Sequence, residues 1–205
     1  MRTEITTESS LRELLGAPTP RARDKDRHSF SAEHREWLTA SPFCLVATSD
    51  ASGRCDVSPK GDPAGFAVVV DDTTIAIPER PGNRRADGFV NILQNPFAGL
   101  IFVIPGRGDT LRVNGRATLL SDAPYAELME VKGHRPEVIL EVAVEQIFFH
   151  CSKAFLRSDL WKPETWDPEA VISRAQIAKL ERPDESIELL EAYHGPQYSE
   201  GLYQA

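Results

Sequence analysis

The feature that most constrains this chain is a series of short runs rich in Val, Ile, Phe and Thr between Phe43 and His150: FCLVATS, RCDVS, FAVVV, TIAIP, GLIFVI, TLRVNGRATLL and VILEVAVEQIFFH. β-Branched and aromatic residues suit a pleated, half-buried surface, so each run is expected as a strand. The connections are short, with Asp50-Ala51-Ser52-Gly53, Asp71-Asp72 and Gly106-Arg107-Gly108-Asp109 each joining neighbouring runs. A crossover between parallel strands needs about a dozen residues or more, so these turns dictate antiparallel pairing. Helical patterns interrupt the series at Arg84–Gln94, stopped by Asn95-Pro96, and at Ala123–Glu130. Six or seven short antiparallel strands with two helices point to a mainly β fold, a small β-barrel with α additions.

The flanks read differently. Residues 1–40 carry two helical signals, SSLRELLG and SAEHREWLTA, separated by the loop APTPRARDKDRHSF, and form a helical lead-in to a barrel over 41–161. Residues 162–205 form a helical extension broken at Pro163, Pro168 and Pro183. Its Val171, Ile172, Ile177 and Leu180 recur at helical spacing, which predicts core or interface packing.

Charge and cysteine usage narrow the partners. With 31 Asp and Glu against 23 Lys and Arg, the net charge is -8, which argues against a nucleic-acid or anionic-membrane surface. No apolar run approaches the roughly 20 residues of a membrane span, and the start, MRTEITTESS, lacks a secretory hydrophobic segment. A cytoplasmic protein with reduced thiols is expected, since Cys44, Cys55 and Cys151 are an odd, scattered set with no CxxC pair. The five histidines show no metal-ligand spacing, so no metal site is expected. GxxxxGK[ST], GxGxxG and GxSxG are absent, which removes the usual support for a P-loop kinase, a Rossmann dehydrogenase or an α/β-hydrolase.

Against this acidic background stands Ile75–Gln94, IAIPERPGNRRADGFVNILQ, where a strand ends at Pro78, breaks at Pro81-Gly82 and enters a helix through Asn83-Arg84-Arg85. Asn83 is a good N-cap residue, and the free N–H groups and positive end of the following turn would face an anion together with two guanidinium forks. This is a candidate phosphate seat. Three further segments can carry chemistry. In Asp56-Val57-Ser58-Pro59-Lys60-Gly61-Asp62, Pro59 is expected to end the ladder and free Ser58 and Lys60 to reach a ligand. In Thr110–Ala117, alternation places Leu111, Val113 and Gly115 on one face and Thr110, Arg112, Asn114 and Arg116 on the other, with Gly115 marking a bulge or a close backbone approach. His150-Cys151-Ser152-Lys153 closes the last strand as a ligand-contacting end, because adjacent residues on an extended chain point apart and cannot share a proton. Trp161, Trp166, Phe155 and Tyr125 could cover an aromatic ligand.

Taken in order, FCLVATSDASGRCDVSPKGD, IAIPERPGNRRADGFVNILQNP, GLIFVI and TLRVNGRATLL resemble the pyridoxamine 5'-phosphate oxidase-related FMN-binding proteins, over roughly Phe43 to Trp161. The resemblance implies an FMN-binding split barrel that forms a homodimer with FMN at the interface. It implies that Arg84 and Arg85 hold the FMN phosphate, that Glu79 and Arg80 line the cofactor, and that Val57, Ser58 and Lys60 run along the flavin ring. It also implies that Thr110 meets the ring and that His150 and Cys151 contact FMN from the other subunit. The resemblance stops at the substrate: the chain ends in EAYHGPQYSEGLYQA, which has no basic cluster to match the arginine and histidine with which true pyridoxamine phosphate oxidases grip the substrate phosphate. The expected function is therefore an FMN-dependent oxidoreductase on an unidentified small substrate, with catalytic residues unassigned. The alternative is a non-catalytic module holding FMN or another anionic cofactor such as haem or a deazaflavin.

Overall fold

The structure, a computed structural model, describes residues 2–203. Seven strands form one antiparallel sheet: β1 (Phe43–Ser49), β2 (Cys55–Gly61), β3 (Val68–Val69), β4 (Thr74–Pro78), β5 (Phe97–Val103), β6 (Thr110–Leu120) and β7 (Ile139–His150). Their spatial order is β2-β1-β5-β6-β7-β4-β3, so β2 and β3 are the edges. The alternating strands turn Leu100, Phe102, Leu111, Val113, Ile75, Ile77, Val142 and Ile147 inward, and all belong to one buried core. Helix α3 (Ala32–Ala40), capped by Ser31 and His34, adds Trp37 and Leu38 to that core. This is the split barrel expected from the resemblance.

The split is a seam. The β2 edge and the far edge share no ladder, yet two ion pairs tie the end of β2 to the residues that follow β4. Lys60 pairs with Glu79, and Arg80 Nε donates to Asp62 at 2.5 Å. The Asp62 side chain is only 1% exposed, so this second tie closes the seam from inside.

Several local expectations are corrected. β2 runs through Pro59 to Gly61, with Pro59 opposite Leu45, because β2 is an edge strand where a missing N–H costs no ladder bond. FAVVV keeps only Val68–Val69 as strand, and Ala123–Glu130 yields only a 3-10 turn at Ala126–Met129. The lead-in holds α1 (Glu8–Leu15) and, inside the expected loop, α2 (Pro20–Arg23), which starts with Thr19 as cap and Pro20 at its first position. After β7 come α5 (Lys153–Arg157), α6 (Arg174–Glu181) and α7 (Ile187–Tyr193). Ser173 and Gln176 form the capping box that starts α6, so Val171 and Ile172 lie before the helix and are exposed, as is Leu180. Gly115 behaves as expected. The β6–β7 register shifts between Asn114 and Gly115, and a Cβ there would run into the Ala143 carbonyl.

Candidate site at the barrel seam

A pocket of about 330 Å³ opens at the seam. β2 contributes Asp56, Ser58 and Lys60, three alternate residues and hence one face of the strand. Glu79 enters from the end of β4, Asn83, Arg85 and Ala86 from the loop, and Asp87, Gly88 and Phe89 from the first turn of α4 (Asp87–Gln94). Helix α4 is anchored on β1, with Asn91 Nδ2 donating to Thr48 Oγ1 at 3.2 Å and Asn95 Nδ2 to Ser49 Oγ at 2.9 Å.

The approach to α4 differs from the sequence reading. The helix begins at Asp87 and not at Arg84, and Asn83 is not its N-cap. The Asn83 side-chain oxygen instead accepts the Arg85 backbone N–H at 3.0 Å, a local turn that competes with helix formation. Arg84 and Ala86 then take left-handed backbone, at φ 59° and 53°. Such residues cost on the order of 1–3 kcal/mol each and gather at ligand sites. Their effect is to set Arg85 on the pocket wall and leave Arg84 on the exposed outside of the loop.

Each of the two pocket cations holds a carboxylate. Lys60, 15% exposed, pairs with Glu79 and lies 4.9 Å from the Phe89 ring centroid. Arg85 Nε donates to Asp87 at 2.7 Å, on the exposed rim. The Asp56 carboxylate joins neither ion pair, and its Oδ2 stands 3.0 Å from where a Cβ on Gly88 would be. A carboxylate beside the first turn of α4 meets the helix's positive end. The two cations can exchange a carboxylate for a ligand anion without leaving the wall, while the Ser58 hydroxyl can donate or accept.

Of the ten predicted residues, Ser58, Lys60, Glu79 and Arg85 line this pocket. Arg84 flanks it. Val57, on the outer face of β2, is 59% exposed and points away. Arg80 also turns away, donating to Asp62 and to the carbonyls of Met129 (2.5 Å) and His134 (3.3 Å), because these acceptors claim its guanidinium. Thr110, His150 and Cys151 do not line it: Thr110 pairs with His150 where β6 meets the end of β7, and Cys151 follows exposed. Thr110 is buried despite its place on the polar face. Burial pushes the His150 imidazole pKa down, with Lys25 and Arg112 adding to it, and His150 Nε2 is buried without a partner. The aromatic residues are engaged elsewhere: Trp161 donates to the Arg107 carbonyl and stacks on Phe155, Trp166 donates to the Leu160 carbonyl, and Tyr125 donates to Glu141.

Sequence reasoning left out Asp56, Ala86, Asp87, Gly88 and Phe89 as site residues. Asp56 was detectable by its two-residue spacing from Ser58 and Lys60. Gly88 and Phe89 were not, because their role depends on where α4 starts. Among the described residues no group of three or more His, Cys, Asp or Glu is placed to hold a metal, and no helix is long and apolar enough to cross a membrane.

No curated protein matches the chain. Solved structures that the chain matches include HupZ of Group A Streptococcus, 23% identical over 58% of this chain and 93% of that one, with a TM-score of 0.47. General Stress Protein 26 of Bacillus anthracis is 14% identical over 56% of this chain and 92% of its own, at a TM-score of 0.42. An FMN-binding protein of Syntrophomonas wolfei is 12% identical over 57% and 88%, also at 0.42. The pyridoxamine 5'-phosphate oxidase family model matches residues 30–151, a stretch that takes in all seven strands and every residue of the seam pocket. The chain therefore belongs to the pyridoxamine 5'-phosphate oxidase family.

Proposed function

We propose that the seam pocket seats the phosphate-bearing part of FMN and that the chain is an FMN-dependent oxidoreductase for a small substrate, working as a homodimer with the cofactor at the interface. The observation that carries this reading is the convergence of Ser58, Lys60, Asn83 and Arg85 on one pocket in a chain of this family. These residues fit a phosphate-bearing ligand. Arg85 offers a fork of donors and Lys60 a compact charge, while Ser58 offers a hydroxyl. Gly88 keeps open a cradle that a Cβ would fill against Asp56. Arg84, on the same loop, adds charge from the rim. Glu79, in contact with Lys60, offsets that cation, so the pair presents a polar wall without net charge.

FMN, when bound, supplies two-electron redox chemistry that no side chain in the pocket provides. The protein's part is to hold the anion on Arg85, orient the ligand along the β2 face and exclude water with Phe89. The pocket volume of about 330 Å³ lies at the low end for ligand sites, which supports completion of the site by a second copy. Thr110, His150 and Cys151, remote from the pocket in their own chain, are the residues we assign to that contribution.

The absorption spectrum of the purified protein tests the cofactor, and reduction of the bound flavin by NADH or NADPH tests the enzyme. A colourless protein that also fails to take up added FMN would defeat the proposal. A second reading, a flavin-holding module without turnover, is favoured by the absence of His, Cys and Tyr from the pocket lining, which leaves only carboxylates and Lys60 for proton transfer. Tightly bound flavin that no donor reduces would select it.

A further inference from the structure

The seam has one more tie, and it comes from the far end of the chain. Tyr203 Oη donates to Asp62 Oδ1 at 2.5 Å, across 141 residues of sequence. Its ring lies 5.7 Å from the Arg80 guanidinium carbon and 5.5 Å from Lys132 Nζ, and stacks on His134 at 6.2 Å. One phenol thus meets the end of β2, the residue after Glu79 and the connection between β6 and β7. Helices α6 and α7 have their own small core of Ala175, Ala178 and Leu190, distinct from the barrel core. Among the described residues, no other hydrogen bond or ion pair joins residues 174–203 to the barrel.

We propose that residues 174–203 are a strap that clasps the barrel seam through Tyr203, and that Tyr203 is a positioning residue for the pocket. The route is short. Asp62 lies two residues beyond Lys60 on the same face, and Arg80 adjoins Glu79, so the clasped Asp62–Arg80 pair fixes the spacing at which Lys60 and Glu79 face each other. Releasing the phenol removes a charge-assisted hydrogen bond and a ring held by two cations, Arg80 and Lys132, and the seam beside the pocket loosens. The clasp itself does not depend on the cofactor; its effect on ligand affinity rests on the FMN reading.

The test is hydrogen exchange on the full-length wild type, Tyr203→Ala and Tyr203→Phe proteins, with FMN titration alongside. In Tyr203→Ala, amide exchange is expected to quicken about tenfold, the factor carried by one hydrogen bond to a charged group, both in residues 196–203 and in residues 60–62 and 79–80. FMN affinity is expected to fall several-fold. Tyr203→Phe keeps the ring among its cations and should fall between the two. Unchanged exchange at residues 60–62 and 79–80 overturns the proposal, whether or not residues 196–203 loosen. If the wild type binds no FMN, the FMN reading fails while the exchange comparison still decides the clasp.

Discussion

The Asp50 carboxylate accepts four hydrogen bonds within the β1–β2 turn. It accepts from the Ser52 hydroxyl at 2.7 Å, from the Ser52 and Arg54 backbone N–H groups at 2.8 and 3.0 Å, and from Arg54 Nε at 2.8 Å. The Ser52 hydroxyl and the Arg54 N–H lead in holding its pKa well below the usual carboxylate range. A depressed folded pKa contributes stability above the unfolded value, about 3.9, and loses it as pH falls further. Asp50→Asn should therefore be less stable than wild type in urea at pH 7, with the gap narrowing at pH 3. Equal gaps at both pH values would count against this role. The cysteines give a second residue-scale expectation. Burial pushes the Cys44 thiol up to about 12, whereas Cys55 and Cys151 are exposed. A thiol reagent at pH 8 should titrate Cys55 in the native protein and Cys44 only on unfolding. At Gly115 the sequence was informative, since only glycine lets the Ala143 carbonyl approach. Gly115→Ala should cost about 1–3 kcal/mol in denaturant melts. Arg80 was not legible: the sequence places it beside Glu79, but its partner, Asp62, becomes a neighbour only when the seam closes.

At the scale of elements, period and turn chemistry showed the strands well because both act locally. Their ends were less visible. Pro59 breaks a ladder only if both sides of the strand are paired, and whether a strand is an edge is decided by topology that no local run contains. The start of α4 was displaced for a related reason. The Asn83 oxygen has two local uses, a helix cap or a turn onto Arg85, and tertiary packing of α4 on β1 selects the turn. Gly88 separates the fold from the site. A Cβ there would push only the far end of the Asp56 side chain, so Gly88→Ala should melt within a few degrees of wild type. The displaced carboxylate would crowd the proposed anion seat, and FMN should bind more weakly by on the order of 1 kcal/mol, roughly fivefold. A variant that melts far lower, or binds FMN as tightly as wild type, contradicts that division.

For the whole molecule, the closing of the sheet explains why the site lies where it does. A seven-stranded sheet with edges β2 and β3 brings the face of β2, the end of β4 and the start of α4 to one seam, and that seam is held by side chains in place of a ladder. A pocket bounded by ion pairs can exchange partners with an anionic ligand, whereas a fully laddered barrel wall could not. Alternation along β2 disclosed half of this site. The other half depends on closure, and the Tyr203 contact on a segment far along the chain. The central claim is that Arg85, with its neighbours, seats the phosphate of FMN. The most direct measurement is a fluorescence titration of the flavin-free protein with FMN and with riboflavin, which lacks the phosphate, repeated on Arg85→Glu. One charge-assisted contact is worth about 1.5–3 kcal/mol, so the account predicts that FMN binds at least tenfold more tightly than riboflavin, and that Arg85→Glu abolishes that preference while leaving the melting temperature near wild type. Equal affinities for the two ligands in the wild type, or an unchanged preference in Arg85→Glu, would contradict it.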